Sequence, residues 1–264
     1  MHPVSNFDEH GFLEGRICGW ITQHRREHAE AFATATRLND ECHRFLSGRD
    51  VSLSDQKKLV TVILFARMME LFQASLLILE RGMTAAARAL FRVHLEAYFT
   101  LVALFDDPSF LDDYLDQFHV YQKSVLNRIQ NSPSSQLAEL SQRLDSSRIE
   151  EINAVVQDRN ISRLSVEQVA KRGGLSAVYA TAYASLSGAV HSSAFDIESH
   201  IKFDEMTGEI QALRYGPSDS ETKRVIGLMG MSMADSLERV SREFDGDRRD
   251  LCSEFKSEFE QTLA

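Results

Sequence analysis

Two long apolar stretches separated by a glycine turn constrain the fold of this chain most strongly. The first runs from Lys57 to Arg81 and is apolar on almost every side of a predicted helix. The second runs from Thr84 to Phe105. Because a helix that is apolar all round must be covered by other elements, both belong in the core. Gly82 ends the first helix and Thr84 caps the second, so the sequence predicts a central antiparallel helical hairpin.

The rest of the chain is also predicted to be helical. Only 4 prolines and 13 glycines interrupt 264 residues, of which 43% are apolar. Residues 200–217 alternate in polarity around a Thr-Gly turn, which is typical of a small β-hairpin near 201–214. We therefore predict an all-α fold, a single multi-helix bundle of about seven or eight helices, forming one domain over residues 1–264. Helical periodicity recurs over residues 11–47, 109–129, 135–158, 165–172, 176–190, 220–244 and from 247 onward.

Charge and cysteine content narrow the classes of function. The formal net charge is −10 without a block of lysines and arginines, which argues against a broad nucleic-acid footprint but leaves a local basic groove possible. Cys18, Cys42 and Cys252 are far apart, as in a cytosolic protein with reduced thiols. The N-terminus has no apolar run, and the apolar window at 59–65 is too short to cross a bilayer. We expect a soluble, cytoplasmic protein without a membrane partner, cofactor or metal.

A row of charged side chains lies on the second apolar helix. Arg88, Arg92 and Glu96 are four residues apart and share one helical face. Glu70 and Gln73 form a polar row on the preceding helix, and antiparallel pairing predicts that the two rows face each other. In a functional interpretation these five residues line a pocket in which Arg92 binds an anion such as phosphate and Glu96 orients it. In a structural interpretation they pair with one another and fix the register of the hairpin.

The segment after Ser176 supplies a candidate acid–base group. Ser187 and His191 are four residues apart near the end of a predicted helix, where a protonated histidine gains from the helix dipole. His191 could act as a general acid or base beside an arginine, as metal-independent RNA cleavage requires. It could equally be a buried imidazole bonded to Glu96. The sequence leaves both interpretations open.

Two further patterns point to other chemistry. His24-Arg25-Arg26-Glu27-His28 fits the H-x-x-E-H string of inverted zinc peptidases, but two arginines beside the ligands indicate a chance match on a charged helix. Residues 165–187 resemble a helix-turn-helix. Their second helix has no Arg, Lys, Asn or Gln to contact bases or phosphates, so we expect a packing surface and no sequence-specific DNA binding.

The spacing of several of these residues resembles an uncharacterised bacterial family of helical proteins. Its members pair an R-x-x-x-E helix with a later S-x-x-x-H segment. Here the first motif is Arg92 and Glu96, and the second follows Tyr183 as Ser187 and His191. The resemblance implies that Arg92, Glu96 and His191 are catalytic. The polar rows and the helical spacing make Arg88, Glu70, Gln73 and Ser187 the candidate ligand-binding residues.

The resemblance covers residues 59–217. We expect an N-terminal helix at 11–47 and C-terminal helices at 220–263 to pack on this core. That family is similar in outline to the HEPN helical bundles. Many of these are dimeric ribonucleases of toxin–antitoxin and phage-defence systems, with an arginine four to six residues before a histidine. Arg88 and His94 have this spacing. However, six residues of helix turn through about 600°, so these side chains would point roughly 120° apart.

The resemblance implies a HEPN-like bacterial protein that acts on RNA or a nucleotide in a defence or toxin–antitoxin setting. If it is an enzyme, we expect a metal-independent ribonuclease-like activity and a homodimer. The alternative is a non-enzymatic interaction or ligand-sensing module. In that case the Arg/Glu/His set is a structural network and the acidic outer helices bind a protein partner.

Overall fold

The computed structural model describes residues 7, 11–13, 17–49, 52, 54–132, 134–142, 144–186, 200–204, 206–244 and 246–263. They confirm an all-α fold with one small β-hairpin. The helices are α1 Cys18–Glu27, α2 Ala29–Ser47, α3 Gln56–Leu79, α4 Thr84–Asp106, α5 Phe110–Gln130, α6 Ser135–Gln142, α7 Ser146–Asp158, α8 Val166–Arg172, α9 Ser176–Val178, α10 Thr222–Glu243 and α11 Arg249–Leu263. The strands are β1 Ile201–Phe203 and β2 Ile210–Leu213, which pair antiparallel with a bulge.

The predicted hairpin of α3 and α4 forms the centre of the bundle. Gly82 sits between them with φ +73°, a left-handed conformation that favours glycine. A Cβ atom there would lie 2.5 Å from the Trp20 ring, so α1 also closes over this turn. Thr84 does not cap α4 as predicted. It is the first helical residue, and its hydroxyl donates to the carbonyl of Ser218 instead.

Helix α10 lies across both members of the hairpin and carries α11 on its other side. Small residues allow this close packing, since a Cβ atom on Gly230 would lie 2.3 Å from the Phe259 ring of α11. His94 of α4 faces α10, where it is 0% exposed and its Nε2 lies 2.8 Å from Ser232 Oγ. The core therefore sits between α3, α4 and α10.

The outer elements contain breaks between helices. The stretch 11–47, which the periodicity predicts as one long helix or two with a soft break, contains a short 3-10 turn and two helices that meet at His28. The stretch 135–158 is likewise two helices, with Asp145 capping the second by accepting from the Ser147 N–H. Apolar periodicity continues through such breaks, which explains why it did not locate them.

Helix α3 is long and apolar enough to cross a membrane by length and composition alone. Within this bundle it packs on α4, α10 and α2, through buried residues that include Phe65, Met68 and Phe72. Only 39% of its most apolar 18-residue window is buried. The core helix thus keeps one face at the surface.

Candidate functional site

The site is assembled where α8 and α9 dock on α4. Helix α8 begins with a capping box of Ser165 and Gln168. It ends at Gly173, where a Cβ atom would lie 3.1 Å from the Val102 side chain of α4, so the two helices approach closely. Gly174 follows with φ +67° and turns the chain into α9.

Arg172 fixes this docking from the side. Its guanidinium donates to the carboxylates of Asp107 and Asp113, each at 2.6 Å, and to the Ser109 hydroxyl at 2.8 Å. The hydrogen bond from Arg172 is the main reason why the pKa of Asp107 is lowered to about 2. The cluster joins the end of α8 to the junction between α4 and α5, which holds the following turn against α4.

Arg92, Glu96 and Tyr183 form a hydrogen-bonded triad. The Arg92 Nη2 donates to the Tyr183 hydroxyl at 2.9 Å, and that hydroxyl donates to Glu96 Oε1 at 2.8 Å. Arg92 Nε lies 3.7 Å from the same Glu96 oxygen. The Arg92 guanidinium also covers the tyrosine ring, 4.7 Å from its centroid. One phenol therefore links the cation and the carboxylate that the sequence placed on adjacent turns of α4.

The triad rests on an aromatic stack. Tyr183 ends a π-helical turn, Tyr179–Tyr183, a form of helix that is often found at functional sites. The rings of Tyr179 and Tyr183 stack with centroids 5.1 Å apart, and the Phe99 ring of α4 lies 5.8 Å from Tyr183. Burial, followed by the hydrogen bond to the Glu96 carboxylate, raises the pKa of Tyr183. The phenol is thus held protonated as a donor to Glu96.

A surface cleft lies at the start of α4, one turn before the triad. Arg88, one turn before Arg92, donates to the Ser185 carbonyl at 3.3 Å and lines a cavity of about 770 Å³. His200, Arg214 and residues of the first turn of α4 also line this cavity. Helix N-termini and guanidinium groups both favour anions, although Asp219 and Glu221 lie at the same cavity.

The charged row is less buried than the sequence predicted. Arg92 keeps 15% of its side-chain surface exposed and Glu96 keeps 42%, while Arg88 is half-buried. His94 points instead into the core, away from Arg88. The predicted divergence of these two side chains is confirmed, so the HEPN-type spacing on α4 does not form a common site.

The two polar rows do not face each other, contrary to the prediction. Gln73 donates to Asn39 on α2 at 2.8 Å and lies 2.7 Å from His43 Nε2, also on α2. Glu70 is exposed on the outer side of α3. The large apolar side chains of α3 take the side that meets α4 and α10, which turns the polar row away. Glu70 and Gln73 therefore lie apart from the triad.

The predicted acid–base residues, Ser187 and His191, lie outside the described residues. The description ends at Leu186, three residues after Tyr183, and resumes at His200, which lines the cavity.

The H-x-x-E-H string is part of the packing between α1 and its neighbours. His24 is 1% exposed, stacks on Trp20 at 4.3 Å and lies 3.4 Å from the Thr222 hydroxyl. Glu27 turns outward and accepts from Gln23. Over the described ranges, no group of three or more His, Cys, Asp or Glu side chains could hold a metal ion.

Sequence reasoning missed two parts of this site. Tyr183 was part of the resemblance but was not proposed as a site residue, and the second wall of the cavity, with His200 and Arg214, was not foreseen. These residues are 87 or more positions from the α4 residues that they meet. Helical periodicity reports only which residues share a face, so it could not find them.

Comparison with known proteins places the chain in a family. A family of unknown function, DUF5677, matches residues 58–210, and the chain belongs to that family. No curated protein and no solved structure matches the chain. The family match covers nearly all of the hairpin of α3 and α4, the whole triad and β1, and it ends at the first residue of β2.

Proposed function

We propose that this DUF5677 protein binds a phosphate-bearing ligand, RNA or a nucleotide, along the Arg88–Glu96 face of α4. One observation carries the proposal. On a helix that is otherwise largely buried, three charged residues on successive turns are only partly buried, the first two of them arginines, and Arg88 lines a cavity. Guanidinium groups are suited to phosphate because they offer several donors in a fixed plane.

The proposed activity is HEPN-like, metal-independent cleavage of RNA in a bacterial defence or toxin–antitoxin setting. Arg92 would neutralise the phosphate and Arg88 would hold a neighbouring anionic group. His191 would transfer protons, removing one from the attacking 2′-hydroxyl or returning one to the leaving 5′-oxygen. Glu96, oriented by the Tyr183 phenol, would position one of these groups. Ser187 would contact the ligand.

A second function is favoured by a different observation. Arg92, Tyr183 and Glu96 already satisfy one another with good hydrogen-bond geometry. This supports a non-enzymatic interaction or ligand-sensing module, in which the triad only holds α8 and α9 on α4. In that case the ligand-binding surface lies elsewhere, and the acidic outer helices bind a protein partner.

The test uses the purified full chain and a fluorescein-labelled single-stranded RNA. Binding is measured by anisotropy and cleavage by denaturing gel in EDTA, for the wild type, Arg92→Ala and His191→Ala. Arg148→Ala, an exposed arginine on α7, is the matched control. We expect Arg92→Ala to weaken binding about tenfold or more, the loss typical of one charged hydrogen bond. We expect His191→Ala to abolish cleavage while the protein still binds.

If the ligand is a nucleotide, the same measurements are made with ATP in place of RNA. Arg92→Ala and His191→Ala proteins that stay folded and behave like the wild type with both ligands would refute the proposed site. A wild type that binds neither RNA nor ATP would leave the interaction module as the better account.

A further inference from the structure

The cavity at the start of α4 is lined by two basic side chains besides Arg88, those of Arg214 and His200. They are held together at the end of the β-hairpin away from its turn, where the Arg214 N–H donates to the His200 carbonyl at 2.7 Å. His200 Nδ1 lies 3.1 Å from the Arg214 carbonyl, which can only accept, so Nδ1 carries the proton. With the described residues, neither His200 Nε2 nor the Arg214 guanidinium makes a hydrogen bond. Both groups are therefore available to a ligand.

The first turn of α4 brings backbone donors to the same cavity. Met83 is the N-cap residue, and its side chain makes no capping hydrogen bond. The first backbone hydrogen bond of the helix runs from the Ala87 N–H to the Met83 carbonyl. The N–H groups of Thr84, Ala85 and Ala86 thus come before the helical ladder, and all three residues line the cavity. Such N–H groups, next to a guanidinium, favour an anion.

Two carboxylates line the cavity as well, but they are shared with its surroundings. Asp219 and Glu221 also line an adjoining cavity beside His28. The Glu221 carboxylate accepts from the Arg224 guanidinium at 2.9 Å, so its charge is already offset. The basic and N–H groups therefore decide the character of the cavity at the start of α4.

Three aromatic side chains, called here the aromatic cluster, line the same cavity: Phe7, Phe12 and Tyr215. The Phe7 ring contacts the other two, with centroid distances of 4.8 Å to Phe12 and 5.8 Å to Tyr215. Arg81 fixes the cluster to the end of α3 by donating to the Phe12 carbonyl at 2.8 Å. Phe7 is buried, but Tyr215 is 65% exposed. The cluster therefore offers a flat aromatic surface that is already positioned at the cavity.

We infer that this cavity binds a free nucleotide. Tyr215 and Phe12 contact the base, and Arg214, His200 and the first turn of α4 bind the phosphates. A base needs an aromatic surface and a phosphate needs guanidinium and N–H donors, and this cavity holds both kinds of group. Its volume of about 770 Å³ lies within the roughly 300–1,000 Å³ of small-ligand sites. The inference rests on the proposed function, because Arg88 belongs to both sites.

Calorimetric titration of the full chain in EDTA tests the inference, with ATP and inorganic tripolyphosphate as the two ligands. Tripolyphosphate has the phosphates without the base, so the comparison separates the two kinds of contact. The variants are Tyr215→Ala and Arg214→Gln. Their matched controls are Tyr121→Ala, a tyrosine of α5 that is 68% exposed, and Arg148→Gln on α7. All four side chains are exposed, so each variant should fold.

We expect the wild type to bind ATP at least fivefold more tightly than tripolyphosphate, about the lower limit for stacking of a base on an aromatic ring. Tyr215→Ala should weaken ATP binding by at least the same factor and leave tripolyphosphate binding unchanged. Arg214→Gln should weaken the binding of both ligands about tenfold or more, because it removes a charged hydrogen bond to phosphate. The controls should match the wild type.

A wild type that binds ATP no more tightly than tripolyphosphate would overturn the inference. So would Tyr215→Ala and Arg214→Gln proteins that bind ATP like their controls. If Arg92→Ala nevertheless weakens ATP binding, the proposed function stands and only the nucleotide cavity is refuted. A wild type that binds the labelled RNA but not ATP would likewise overturn the cavity alone.

Discussion

His94 should make the stability of this protein fall in mild acid. Its Nε2 lies 2.8 Å from the Ser232 hydroxyl, which gives its own proton to the Met229 carbonyl at 2.9 Å. With the hydroxyl proton on that carbonyl, Nε2 is assigned as the donor and the neutral ring carries no proton on Nδ1. Nδ1 is buried and makes no hydrogen bond within the described part of the chain. Burial disfavours the imidazolium, and the Met68 backbone offsets this effect only in part.

The magnitude follows from the shift in pKa. Burial lowers the pKa of His94 from 6.5 to about 4 in the folded protein. The neutral form is favoured in the fold, so its contribution is complete above pH 6.5 and is lost as the pH falls toward 4. A difference of about 2.5 units corresponds to roughly 3.4 kcal/mol at full protonation, and to about 2 kcal/mol between pH 8 and pH 5.

Urea unfolding of the wild type and His94→Gln at pH 8 and pH 5 measures this contribution. Glutamine can place an amide N–H near the position of Nε2 but does not titrate in this range. We expect the wild type to lose about 2 kcal/mol more than the variant between the two pH values. His24, whose pKa burial also lowers to about 4, contributes equally to both proteins and cancels in the comparison. An equal loss in both proteins would refute the role assigned to His94.

Two other features of the packing give direct predictions. Gly230→Ala should destabilise the protein by about 1–2 kcal/mol in urea unfolding, because the new methyl group would overlap the Phe259 ring. The higher helix propensity of alanine offsets only part of this strain. An unchanged unfolding midpoint would show that α11 can shift freely. Ellman's reagent should label one thiol, the exposed Cys18, in the native protein and three in urea. Burial raises the pKa of both Cys42 and Cys252, so rapid native labelling of either would contradict the packing of α2 and α11.

The helices could be predicted because their signals are local. The turn at Gly82, the capping box at Ser165 and the alternation of the β-hairpin each depend on a few neighbouring residues, and the structure has all three. The direction in which α3 faces could not be predicted. A helix that is apolar nearly all round gives no periodicity to orient it, so Gln73 was expected near Arg92 but contacts α2.

The site was predictable in part because some of its signals are also local. Arg92 and Glu96 are one turn apart, and the sequence alone puts them on one face of α4. Their link through Tyr183 depends on how α8 and α9 dock, which Gly173 and Arg172 decide through contacts far along the chain. Such contacts leave no periodic trace in a single sequence.

The most direct test of the proposed site compares stability with binding in Arg92→Gln. Glu96 is 42% exposed, and solvent-screened pairs contribute little to stability. A functional arginine therefore predicts a loss of no more than about 1 kcal/mol in urea unfolding, together with at least tenfold weaker binding of labelled RNA or ATP. A purely structural triad predicts unchanged binding of both ligands in Arg92→Gln, whatever its loss of stability, and that result would contradict the proposed site.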